Sequence, residues 1–114
     1  MLTIAIVLFA AAAVFGLVAL RAILTNKPAS RPVVLTHGAV AAAGLLLVIL
    51  FSVRSTTTAV PGLSLTLFII AALGGFVLFA LDMQKKPLPK SLAVLHPLIA
   101  AAGLVALILF VAGM

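Results

Sequence analysis

Leu35 to Phe51 reads LTHGAVAAAGLLLVILF, and Val94 to Phe110 reads VLHPLIAAAGLVALILF. Each stretch carries one histidine, then Ala-Ala-Ala-Gly-Leu beginning four residues later, and His37 and His96 are the only histidines in the chain. Apart from the histidine, and Thr36 beside it in the first copy, each stretch is continuously apolar. Its length approaches the roughly twenty residues a helix needs to cross about 30 Å of hydrocarbon. The reading that decides the fold is therefore a membrane-spanning helix with an imidazole near one end.

Working outward from these stretches gives four such runs, Leu2–Leu24, Val33–Val53, Leu63–Asp82 and Leu92–Gly113. Of the 114 residues 67% are hydrophobic and 7% charged, so a soluble domain could not cover its apolar surface. The expectation is an all-α integral membrane protein of four transmembrane helices. A transmembrane barrel is excluded, because its strands alternate apolar with polar residues and are about half as long. The first run has no basic start and has a counterpart inside the chain, so it is expected to be a span rather than a removed signal segment. With 0 cysteines there are no disulfides, iron–sulfur clusters or thiolate metal sites.

The same residues recur at an offset of 59, as the pairs His37 and His96, Lys27-Pro28 and Lys86-Pro87, and Gly16 and Gly75 show. Leu8-Phe9 falls on Leu67-Phe68 and Ile49-Leu50-Phe51 on Ile108-Leu109-Phe110 in the same way. The chain is thus expected to be one membrane domain, 1–114, made of two tandem hairpin repeats. Repeat 1 spans about 1–55 with helices 2–24 and 33–53. Repeat 2 spans about 60–114 with helices 63–82 and 92–113. Two spans per repeat make the repeats parallel, and short loops make the helices an up-down four-helix bundle.

Six of the seven basic residues, Arg21, Lys27, Arg31, Lys85, Lys86 and Lys90, border the first and third loops. The net charge of +6 is therefore a topology signal and not a nucleic-acid footprint. It predicts a bacterial or archaeal inner membrane, with loops 1 and 3 cytoplasmic and both termini outside. Pro32 suits the first turn of helix 2, and Ser91 is expected to cap helix 4. Pro97 is expected to free the carbonyl of Ala93 beside His96. Asp82, the single acidic residue, is expected to pair locally with Lys85 and Lys86.

At 3.6 residues per turn, His37, Ala41, Gly44 and Val48 share one face of helix 2; His96, Ala100, Gly103 and Leu107 share the matching face of helix 4. Gly44 and Gly103 are expected to leave room beside the histidines for something flat. Gly16 and Gly74-Gly75 make similar thin places on helices 1 and 3, expected nearer mid-bilayer. In an up-down bundle helices 2 and 4 run in the same direction on a diagonal. Two imidazoles at matched depth there suit one b-type haem, with His37 and His96 as its axial iron ligands. Arg21, Lys27, Arg31, Lys86 and Lys90 would be available to pair with its propionates. This arrangement resembles the four-helix core of cytochrome b, which ligates haem from alternate helices, and the resemblance rests on the two histidines and the glycines.

The functional expectation is a small membrane cytochrome taking part in electron transfer. The alternatives are a quinone or other small ligand at the same place, or a cofactor-free accessory subunit that meets other membrane subunits, or itself, through glycine–alanine faces. Small multidrug exporters share the length and helix number, but their chemistry needs a buried acidic residue in the first helix, and Leu2–Leu24 has none. No nucleophile is paired with a base, so a stand-alone enzyme is not expected. Two histidines alone underligand zinc.

Overall fold

The structure is a computed structural model describing residues 1–114, and it is a bundle of four long helices. In order they are α1 (Leu2–Leu24), α2 (Arg31–Arg54), α3 (Gly62–Met83) and α4 (Lys90–Val111). All four are long and apolar enough to cross a membrane. Only 13 residues are buried, while Leu46, Val53, Leu63 and Phe76 stand 65–72% exposed. Such an apolar exterior is stable in lipid and not in water.

Each helix start has a local cause. Ser30 and Pro89 take the same extended conformation (φ −62, ψ 127 and φ −65, ψ 122) and precede α2 and α4. Proline's ring holds φ near this value while its carbonyl still accepts the first helical bond, from the Ala93 N–H at 3.0 Å. α4 accordingly begins at Lys90 with Pro89 at the cap position, and the expected Ser91 cap is not used. α2 likewise begins at Arg31 instead of Val33, with Pro32 in its first turn. α4 stays continuous through Pro97.

The α1–α2 and α3–α4 connections reverse through Asn26 (φ 58) and Lys85 (φ 56), the only non-glycine residues of positive φ. The N–H of the following residue closes each reversal, from Lys27 to the Ala22 carbonyl at 2.8 Å and from Lys86 to the Leu81 carbonyl at 3.0 Å.

α1 packs along α2 and α3 along α4, with further contacts between α1 and α4 and between α2 and α3. The buried positions recur mostly three and four residues apart, and so every seven: Leu2, Ala5, Phe9 and Ala12 on α1, Gly44 and Val48 on α2, Ser64, Phe68 and Ala71 on α3, and Ala93, Gly103 and Leu107 on α4. Seven residues advance a helix about 10 Å, and a repeat near 3.5 keeps one seam facing its neighbours. In the central layer the rings of Phe9 and Phe68 stack across the bundle, centroids 3.8 Å apart and 7° from parallel. α2 and α4 make room for them with glycine: a Cβ on Gly44 would stand 3.1 Å from the Phe9 ring, and one on Gly103 3.1 Å from the Phe68 ring. Toward one end, Phe51 and Phe110 meet edge to face at 6.3 Å.

Candidate functional site: a paired-imidazole layer

Seven residues before Gly44 and Gly103 the pattern inverts, and here α2 and α4 supply the rings while α1 and α3 supply the glycines. His37 and His96 come together with ring centroids 6.1 Å apart and planes 89° apart. A Cβ on Gly16 would stand 3.0 Å from Cε1 of His37, and a Cβ on Gly75 3.0 Å from Cε1 of His96. A Cβ on Gly74 would stand 3.8 Å from Cβ of His96.

Each ring is held by one hydrogen bond. Nδ1 of His37 lies 2.7 Å from the carbonyl oxygen of Ala12, and Nδ1 of His96 lies 2.7 Å from that of Ala71. A carbonyl only accepts, so both Nδ1 atoms carry a proton, and in the neutral ring each Nε2 carries the lone pair. The backbone explains why these carbonyls are reachable. In a helix the carbonyl of residue i is covered by the side chain of residue i+4, which leans back toward the N-terminus. Gly16 is four residues after Ala12 and Gly75 four after Ala71, so both carbonyls are uncovered. The missing Cβ thus creates both the space for the ring and the acceptor that orients it.

Neither Nε2 has a hydrogen-bond partner, and no unpartnered side-chain nitrogen or oxygen is fully enclosed. Both histidines are half-buried, so each Nε2 is open to a small ligand. Metal–imidazole bonds of about 2 Å, added to the ring radii, put two imidazoles sharing one metal roughly 6 Å apart between centroids. The observed separation of 6.1 Å equals that distance and is equally that of an edge-to-face ring contact. No third histidine, cysteine or carboxylate joins the pair, so the protein donors here are two imidazoles. A flat macrocycle has no preformed slot, since Gly16 and Gly75 close onto the Cε1 edges. Its entry requires α1 and α3 to move outward at those glycines.

The structure brings the rings of His37 and His96 together. Gly44 and Gly103 belong to the phenylalanine layer and hold Phe9 and Phe68. The small residues beside the imidazoles are instead Gly16 and Gly75. The earlier start of α2, at Arg31 instead of Val33, brings the depths together: Gly16 lies eight residues before the end of α1 and His37 six after the start of α2, so the glycines are not the mid-bilayer features expected. At 1.5 Å per residue that is a difference of about 3 Å, within an imidazole's reach. Arg31 donates from Nη1 to the sulfur of Met83 at 3.1 Å and so ties the two basic connections together. Lys90 lines a cavity of about 320 Å³ with Lys27, Lys86 and Asp82. No ion pair within 4.0 Å joins Asp82 to a lysine, so the expected local pairing is not formed.

What the fold and site define is a four-helix membrane protein with a paired-imidazole layer. No family model, no curated protein and no solved structure matches the chain.

Proposed function

We propose that the chain is a small b-type cytochrome-like membrane protein that binds one haem through Nε2 of His37 and His96 and takes part in membrane electron transfer. The observation that carries this reading is the imidazole pair: rings 6.1 Å apart, each Nδ1 anchored on a carbonyl, each Nε2 left free. Ligating histidines characteristically donate the other ring N–H to a carbonyl or carboxylate, which fixes the tautomer and orients the ring. The bound haem would supply one-electron chemistry. The chain's own contribution is to present two lone pairs and to border them with the Phe9–Phe68 layer about 10 Å deeper. Quinone binding at the same pair is the small-ligand form of this reading.

In the same proposal the halves, about 1–55 and 60–114, are tandem parallel hairpins in an up-down bundle. Supporting this are the packing of α1 on α2 and of α3 on α4, and the recurrence of the histidine–carbonyl bond, the glycine contact and the positive-φ turn at an offset of 59. The six basic residues near the first and third connections support the reading that this end faces the cytoplasm across an inner membrane.

A second reading is favoured by the close fit of Gly16 and Gly75 on the imidazole edges. In it the histidines are interhelical clamps in a cofactor-free accessory subunit. An absorbance spectrum of protein purified from haem-replete cells separates the two. Haem binding gives a Soret band that shifts on dithionite reduction, with α and β bands that vanish in His37→Ala/His96→Ala. A colourless preparation overturns the cytochrome reading and leaves the clamp.

A further inference from the structure

We infer that the cavity between the α1–α2 and α3–α4 connections holds the phosphate of an anionic phospholipid headgroup. The cavity, about 320 Å³, is lined by Lys27, Lys86 and Lys90, with Asn26 and Asp82 as the other polar side chains. Three lysines and one aspartate thus line it, and no lysine nitrogen is within 4.0 Å of the carboxylate. The excess positive charge is unneutralised by the protein and calls for an anion. Lysine is a compact charge with three donors and suits phosphate oxygens without demanding one orientation.

The walls are fixed. The positive-φ turns at Asn26 and Lys85, closed by the Lys27 and Lys86 N–H bonds at 2.8 and 3.0 Å, set the backbone from which two of the lysines project. The Arg31–Met83 contact at 3.1 Å holds the two connections side by side. The cavity lies where the apolar helices end, the depth of headgroups in a bilayer. Ile23 lines it, and Leu24 and Met83 nearby are 42% and 50% exposed, offering the apolar flank an acyl chain needs. Those neighbours select a lipid over free phosphate, and basic pockets at the ends of membrane helices are a physical match for anionic headgroups. This inference does not rest on the haem reading.

The test is native mass spectrometry of the full chain released from mixed micelles containing equal phosphatidylglycerol and phosphatidylcholine of the same chain length. One phosphatidylglycerol per chain is expected, with retention falling roughly tenfold or more in Lys27→Gln/Lys86→Gln/Lys90→Gln and unchanged in Arg54→Gln. Asp82→Asn, which removes the opposing charge, is expected to raise retention several-fold; it keeps the test decisive if the triple variant does not fold. Equal retention of the two lipids overturns the inference, as does a fall in Asp82→Asn. Displacement of the lipid by an equal concentration of inorganic phosphate overturns the lipid assignment in favour of a free-phosphate site.

Discussion

Nδ1 of His37 donates to the carbonyl of Ala12 across 2.7 Å, and the bond exists because the residue four positions later on α1 is Gly16. The bond between His96 and Ala71, also 2.7 Å, depends in the same way on Gly75. A hydrogen bond between membrane helices is worth about 0.6–2 kcal/mol, since the unfolded chain in lipid finds partners too. Its value here lies less in stability than in holding two imidazoles in one tautomer at one separation.

Gly16→Ala and Gly75→Ala test that dependence. The new Cβ would lie 3.0 Å from Cε1, so the ring must retreat and the Nδ1 bond lengthen or break. Alanine's better helix propensity returns up to about 1 kcal/mol, so thermal stability in detergent should change little. Ligand binding should change much: haem per chain, read from the Soret band, is expected to fall by roughly tenfold or more, since a displacement of about 1 Å from a required geometry has effects of that order. Normal haem content in both variants would refute the role of the glycines.

Three glycines in one helix pair should separate by what surrounds them. Gly44→Ala and Gly103→Ala press a methyl to 3.1 Å from a stacked phenylalanine, an overpacking expected to cost about 1–3 kcal/mol. Gly38→Ala meets nothing within 4 Å and should stabilise by about 0.5–1 kcal/mol through helix propensity. Unfolding in mixed micelles with increasing denaturing detergent measures all three. An equal response would mean that the phenylalanine layer is not packed as described.

Phe9→Ala and Phe68→Ala each remove one ring of the stack at 3.8 Å. Each is expected to cost about 3 kcal/mol, at the low end for a buried phenylalanine because lipid offers no water to exclude. The double variant should cost less than the sum by about 0.5–1.5 kcal/mol, the stacking energy counted twice in the singles. Strict additivity would place the rings apart.

Lys85→Gly should stabilise more than Asn26→Gly. Both residues sit at positive φ, 56 and 58. The conformation costs an ordinary L-residue roughly 1 kcal/mol, whereas asparagine tolerates it through local hydrogen bonding. Thermal midpoints of the two variants in one detergent make the comparison. Equal shifts would show that the strain at Lys85 is relieved elsewhere.

Much of the helix reading was available before any coordinates. The α1 span is Leu2–Leu24 in both readings, and the other spans differ by one or two residues at their ends. The approach of His37 to His96 was also legible, because they are the only histidines and each lies six residues into its helix. The placement of Gly44 and Gly103 was not. They share a helical face with the histidines, and nothing along α2 or α4 says that Phe9 and Phe68 reach across to fill that space. The carbonyls of Ala12 and Ala71 were equally hidden, since a backbone acceptor has no letter of its own.

Sequence alone determined that four helices are apolar enough to span a bilayer, where they start and stop to within two residues, and that two histidines lie at equal distances from their helix starts. Tertiary structure decided which small residue faces which ring. The physical reason is that both the lipid-facing and the protein-facing sides of these helices are apolar, so hydropathy does not mark an inner face as it does in water. Only packing distinguishes them, and it assigns Gly16 and Gly75 to the imidazoles and Gly44 and Gly103 to the phenylalanines.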